Sequence, residues 1–425
     1  MENQALIAII IFFITYAVII SERIHRTIIA IFGGILLIMF RVIDQETAIH
    51  HIDFNTIGLL IGMMIIVSIT AQTGVFRYLA IKTAKIAKGD PLLILILLAI
   101  LTACASSLLD NVTTVLLVVP VTLNITTKLK VNPLPYLISQ IMASNIGGTA
   151  TMIGDPPNIM IGSAVKDLSF MAFIDNLTVI SFIILFVTVV IFALLYKKQL
   201  KTSEELKKEL MKSNERLELT DSRLLTKSLI VLAITIGGFF AHQYIHIESA
   251  TIALFGAFLL LLVTGEEHLE YSLERVEWTT LFFFVGLFVI VGGLVETGVI
   301  SSLAQSALAA TEGDLEKTTF LILWVSAIAS AFVDNIPFVA TMIPLIQEMG
   351  SLGITNLEPL WWSLALGACL GGNGTLIGAS ANLVVAGLAS AEGHKISFIK
   401  YLIIGFPLMI LSIIISTIYI YLRYL

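Results

Sequence analysis

The chain has 425 residues, of which 57% are hydrophobic and only 13% charged, where an ordinary soluble domain carries about 25% charged residues. Such a composition cannot cover the surface of a water-soluble globule, which excludes a soluble enzyme, a nucleic-acid reader and a disordered scaffold and points to a polytopic membrane protein. The net charge of −6 lies mostly in loops and gives no support for a nucleic-acid partner.

Taken in chain order, apolar segments bounded by charged or turn residues fall at 5–20, 28–43, 55–71, 91–109, 113–127, 134–146, 178–196, 228–245, 249–264, 279–295, 318–333, 336–347, 359–370 and 401–422. Several are shorter than the roughly 20 residues a bilayer crossing takes. The first run follows Glu2 rather than a basic region and ends in Ser21-Glu22-Arg23 rather than a small-residue cleavage site, so it is expected to be retained as a span. On this reading residues 1–52 are N-terminal transmembrane helices, 53–196 a first repeat, 197–227 a cytoplasmic loop, 228–276 linking transmembrane helices and 277–425 a second repeat. The loop is dense in Lys and Arg. Together with Arg23, Arg26, Lys82, Lys85, Lys88, Lys128, Lys130, Lys395 and Lys400 it sets the cytoplasmic side, with both termini outside.

The repeat rests on one ungapped offset. Adding 224 carries Thr73-Gly74-Val75 onto Thr297-Gly298-Val299, Gly89-Asp90 onto Gly313-Asp314, and Asp110-Asn111 onto Asp334-Asn335. It also carries Gly147-Gly148 onto Gly371-Gly372, Thr151 onto Thr375, Ile153-Gly154 onto Ile377-Gly378 and Asn158 onto Asn382. Between Asp53 and its equivalent Glu277 the expected crossings are odd in number, so the repeats are inverted, with a site near the midplane where broken helices meet.

In each repeat two apolar arms flank an Asp-Asn pair, which predicts re-entrant hairpins over 91–127 and 318–347 with Asp110 and Asp334 at their tips. A carboxylate placed in hydrocarbon is costly and faces a protein interior or a wet cavity. Each Asp also suits the N-cap of its second arm, a role compatible with ion binding. Downstream, glycine-rich passages interrupt the helices of 134–165 and 359–391, and Pro156-Pro157 forbids immediate continuation of the first. Unwound carbonyls and exposed helix ends at such breaks can hold ions.

The candidate ion or substrate ligands are therefore Asp110, Asn111, Thr113 and Thr114 of the first tip, and Asn145, Gly147, Gly148, Thr149, Asp155 and Asn158 of the first break. The second half adds Asp334, Asn335, Asn373, Thr375, Ser380 and Asn382. A sodium ion is expected at Asp110, Asn111, Asp334 and Asn335, with no other cofactor. Asp155 is matched by Ala379 and Thr113 by Pro337, so the half-sites differ. No Lys, Arg or His falls in either tip or break, and three acids without a base favour protons and small cations. Cys104 and Cys369 read as small packing residues, Trp361-Trp362 as an interfacial anchor, and Glu296 as a helix-end residue near the outer interface.

The segments Ser107 to Leu117, Phe332 to Phe338 and Gly147 to Asn158 resemble the ArsB/NhaD group of the ion transporter superfamily, in particular the branch containing the melanosomal P protein. The resemblance runs from about residue 28 to the C-terminus. It implies an all-α fold like that of the divalent anion/sodium symporters, with two inverted-topology repeats, each holding a re-entrant helical hairpin and a broken transmembrane helix. It also implies a dimerising scaffold and a moving transport domain in a cell membrane. Those symporters carry Ser-Asn-Thr at the hairpin tips, where this chain has Asp110-Asn111-Val112-Thr113 and Asp334-Asn335-Ile336-Pro337. The expected function is a proton-coupled secondary transporter, foremost a sodium/proton antiporter, with arsenite, antimonite or another anion as the alternative cargo. An intramembrane aspartyl protease is the rival from another class and requires Asp110 and Asp334 to share a proton.

Overall fold

The structure is a computed structural model that describes residues 2–21 and 23–425, and every regular element among them is helical. The first half runs α1 (Glu2–Ser21), α2 (Arg26–Met39), the short α3 (Gln45–His50), α4 (Phe54–Gln72), α5 (Val75–Ile86), α6 (Pro91–Ser106) and α7 (Asn111–Leu129). It continues with α8 (Leu134–Thr149), α9 (Pro156–Ala164), the single turn α10 (Phe170–Phe173) and α11 (Val179–Tyr196). After α12 (Glu204–Met211) the second half takes the same course. It comprises α13 (Ser222–Ile245), α14 (Ser249–Thr264), the short α15 (Leu269–Arg275), α16 (Trp278–Glu296), α17 (Val299–Thr311), α18 (Leu315–Phe332), α19 (Asn335–Ser351), α20 (Glu358–Gly371), α21 (Ser380–Ala391) and α22 (Phe398–Tyr424). Eight helices among the described residues are long and apolar enough to cross a membrane. Large side chains such as Phe13, Phe186 and Leu262 stand exposed on the outside of the bundle, as a lipid-facing surface requires.

Local chemistry explains the repeated boundaries. Asp90 and Asp314 cap the entering arms of the two hairpins, their Oδ1 atoms accepting from the N–H of Leu93 at 2.9 Å and of Lys317 at 2.8 Å. Gly74 and Gly298 turn the chain into α5 and α17 at φ 76° and 75°, a left-handed conformation that costs other residues energy. The hairpins lie at α6–α7 and α18–α19, extending a few residues beyond the expected 91–127 and 318–347. The broken helices are α8–α9 and α20–α21.

The helices sort into two packing groups. Hairpins and broken helices pack on one another and on α11 and α22, while α1, α2, α4, α13, α14 and α16 form the other group. Within the latter, α2 packs on α16 and α14 on α4, so each half clasps the other. Glycines permit the approach: a Cβ on Gly62 would lie 2.5 Å from the carbonyl carbon of Ala253, and one on Gly286 2.4 Å from that of Ala30. The 224 offset thus reaches further than the sequence motifs, pairing α1 with α13 and α2 with α14 as well.

Three expectations need correction. The helices α5 and α17 were not among the apolar segments, because they are amphipathic; α5 carries Arg77, Lys82 and Lys85. Residues 197–227, expected as a loop, hold regular structure of their own. They contain α12 and dock on the bundle, with Lys85 Nζ 2.6 Å from Glu215 Oε2 and the Thr220 hydroxyl donating to the Gln72 carbonyl at 2.8 Å. Trp361 and Trp362 are not interfacial anchors. Trp362 is fully buried against Phe173, its ring centroid 5.1 Å away, and donates from Nε1 to Glu358 Oε1 at 3.2 Å.

Candidate functional site

Each hairpin is tied to its neighbouring broken helix by the same bonds. Ser106 and Ser330 donate to the carbonyls of Ser144 and Ala368, at 2.8 and 2.6 Å. Thr151 donates to the Ser107 carbonyl at 2.5 Å, and Thr375 donates to the equivalent carbonyl of Ala331. Gly147 and Gly371 bring the broken helices against the hairpins: a Cβ would fall 2.2 Å from the Ala103 carbonyl oxygen in one and 2.5 Å from that of Ala327 in the other. The unwound stretches are held by asparagines. Asn158 Nδ2 donates to the carbonyls of Thr149 and Thr151, at 3.2 and 2.9 Å, and Asn382 Nδ2 to those of Gly372 and Thr375, at 2.7 and 3.0 Å. These carbonyls have lost their helical partners, and the side-chain amides satisfy them without water.

Between the breaks the two halves meet through amides. Asn145 Nδ2 donates to Oδ1 of Asn373 and of Asn382, each at 3.0 Å, and Asn145 Oδ1 accepts from Asn111 Nδ2 at 3.4 Å. Asn373 Nδ2 is buried without a partner.

The acids lie beside this seam. Asp110 Oδ1 caps α7, accepting from the Thr113 N–H at 2.8 Å, and Asp334 Oδ1 caps α19 through the Ile336 N–H at 3.1 Å. The capping reading of both residues is therefore correct. Asp155 opens α9 without a capping bond and is 1% exposed; the Asn335 amide reaches its two oxygens at 3.4 and 3.5 Å. A cavity of about 20 Å³ opens between Asp110, Asn111, Asp155, Asn335, Ser380 and Glu277, with Arg26 also on its wall. That is room for about one water-sized species. A buried carboxylate with such weak partners costs several kcal/mol unless a proton or cation joins it.

The structure brings Asp110, Asn111, Asp155, Asn335 and Ser380 together at this cavity. Asp334 stands next to it and engages two residues that line it, its Oδ2 accepting from Arg26 Nη1 at 2.6 Å and from the Ser380 hydroxyl at 2.8 Å. The other named residues serve the scaffolding of the site. Gly147 and Gly148 make close backbone contacts, the Thr149 hydroxyl bonds the Asn145 carbonyl, Thr375 ties the hairpin, and Asn158 and Asn382 hold the breaks. Thr113 contributes its backbone N–H to Asp110, and the Thr114 hydroxyl is buried without a partner. Among the described residues no group of three or more His, Cys, Asp or Glu could hold a metal ion, so a sodium site here would draw on amide and carbonyl oxygens as well as carboxylates.

Sequence reasoning missed two charged residues. Glu277 lines the cavity, with the Thr280 hydroxyl 3.0 Å from its Oε2. The signal was its match to Asp53, which placed an acid at the same point of both halves. Arg26 overturns the expectation of a site without a base. It comes from α2, far from either motif in sequence, and reaches the second hairpin tip through the fold. The protease arrangement is not present: Asp334 bonds Arg26 and Ser380 while Asp110 caps its own helix, and among the described residues no hydrogen bond joins the two.

The fold is that of a multi-pass integral membrane protein with two repeats of re-entrant hairpin and broken helix, and the family and relatives it matches make it a transporter rather than an enzyme. The chain belongs to the CitMHS family, described as citrate transporter, whose profile matches residues 16–367. It is 43% identical over 427 residues to a Mycobacterium bovis protein described as an uncharacterized transporter, covering 99% of each chain. It is 34% identical over 493 residues to the human P protein, covering 97% of this chain and 59% of that one, so the relation to the P protein expected from the hairpin motifs holds. In fold it resembles the Alcanivorax borkumensis YdaH transporter, with a TM-score of 0.58 at 13% identity over 91% of this chain and 88% of that one.

Proposed function

We propose that the chain is a proton-coupled secondary transporter of alternating-access type that exchanges protons for a small cation, sodium foremost. The observation carrying this reading is Asp155: a buried carboxylate, weakly partnered, facing a cavity of about 20 Å³ shared with Asp110, Asn111 and Asn335. Occupation of that place by either a proton or a cation couples the two flows, because the site cannot cheaply stay empty. The separation of the helices into two packing groups supports an elevator-like movement of the hairpins and broken helices against the rest.

A second reading, carriage of a citrate-like carboxylate, is favoured by the family description and by the guanidinium of Arg26 beside a second cavity of about 280 Å³. Reconstitution in liposomes with an imposed proton gradient and a trapped pH dye separates the two. Collapse of the gradient on adding sodium or lithium, lost in Asp155→Asn, is the expected result. Collapse with citrate or arsenite alone transfers the assignment to the anion branch.

A further inference from the structure

Arg26 joins the two packing groups at one point. Its helix α2 packs on α1 and α16, and its guanidinium carbon sits 4.9 Å from the ring centroid of Phe283 on α16, so its base is anchored in the first group. Its Nη1 reaches into the second group, 2.6 Å from Asp334 Oδ2 at the hairpin tip and 2.7 Å from the Ser380 hydroxyl at the start of α21. The pair is partly exposed, at 26% and 13%, and borders the 280 Å³ cavity with Ile24, His25 and Ile377.

The opposite half cannot make the same contact. The 224 offset takes Arg26 to Ala250, and takes Asp334 and Ser380 back to Asp110 and Pro156. The surroundings are unequal too. Asp53 Oδ1 accepts from Ser163 near the far end of α9 at 2.8 Å, whereas the equivalents are Glu277, which faces the first hairpin tip, and Gly387, beside which a Cβ would meet nothing within 4 Å. The bonds that tie each hairpin to its own broken helix are repeated, whereas the Arg26 and Asp53 contacts between the two groups are not, so the second hairpin and α21 are held to α2 as the first hairpin and α9 are not held to α14.

We propose that Arg26 is a one-sided charge latch: a tethered cation that occupies Asp334 and Ser380 in this conformation, holds the second hairpin and α21 against α2 and α16, and must release for the opposite conformation to form. This rests on the alternating-access reading above. The carried cation then competes with Arg26 for Asp334, and the resting equilibrium is biased to one side because α14 offers alanine where α2 offers arginine.

The test reads conformation without any transported species. Spin labels are placed at the exposed positions 244, at the end of α13, and 351, at the end of α19, in a chain whose Cys104 and Cys369 are replaced by serine. Pulsed dipolar distances are then measured in lipid nanodiscs. In Arg26→Gln a second distance population is expected to rise by about tenfold over the parent, with Ser380→Ala moving the same way by less and Arg26→Lys falling between. A distribution unchanged in both Arg26→Gln and Ser380→Ala overturns the latch, as does uniform broadening in Arg26→Lys, which marks a merely structural arginine. The two readings fail separately: normal flux in Asp155→Asn sinks the cation site and leaves the distances as they are, while unchanged distances with flux lost in Asp155→Asn sink the latch alone.

Discussion

Asn145 donates to the side-chain oxygen of Asn373 at 3.0 Å, and this bond joins the two broken helices where the repeat departs from itself. By the offset Asn145 stands opposite Cys369 and Asn373 opposite Thr149, so neither half alone could form the contact. Asn145→Leu leaves the amides of Asn111, Asn373 and Asn382 short of a partner in a dry interior. We expect a loss of about 1–3 kcal/mol for each group left unsatisfied, read as a lower unfolding midpoint in detergent. Asn373→Ala, whose Nδ2 is already unpartnered, should cost less than Asn145→Leu.

Asp110→Asn and Asp334→Asn preserve side-chain size and the capping oxygen while removing the carboxylate charge. Each should abolish coupled flux in proteoliposomes; Asp110→Asn should change the melting temperature little, whereas Asp334→Asn, which leaves Arg26 without its carboxylate, should lower it. Normal flux in both would remove the carboxylates from the mechanism.

Glycine substitutions separate packing from backbone freedom. At 147 and 371 a methyl group would collide with the carbonyl oxygens of Ala103 and Ala327, so Gly147→Ala and Gly371→Ala should each destabilise by about 1–3 kcal/mol or prevent folding. Gly387 lies within α21 with open space around it, and Gly387→Ala should be neutral or stabilise by about 0.4–1 kcal/mol. A melting series in one detergent ranks the three, and equal effects would discredit the hairpin contacts.

The docked loop has a pH signature. Lys85 beside Glu215 holds that carboxyl below the ordinary glutamate range. A depressed carboxyl lends its stabilisation above the ordinary range and loses it as pH falls through the lowered value. Hydrogen-exchange protection factors over 212–221 should therefore hold from neutral pH down into the ordinary glutamate range and fall below it. Glu215→Gln should exchange faster already at neutral pH.

A cysteine reporter introduced at exposed Lys212 in the same loop should react with a membrane-impermeant reagent from the cytoplasmic side alone. Labelling from outside would invert the orientation drawn from the lysines and arginines.

The sequence by itself determined whatever depends on local chemistry. Low charge and long apolar runs dictated a membrane protein, and paired Asp-Asn tips and glycine-rich breaks dictated hairpins and broken helices, because capping and helix release act within a few residues. The 224 offset made the two-fold relation readable, since both halves solve the same folding problem with the same residues. Tertiary structure alone decided which polar groups face one another. Asn158 and Asn382 matched the pattern of ligands but spend their amides on freed carbonyls, while Arg26 enters the site from a helix outside the hairpin and break motifs and Glu277 only through its match to Asp53. A periodic pattern shows which face of a helix is apolar; it does not show which distant helix that face will meet, and the charge balance of this site is set at such a meeting.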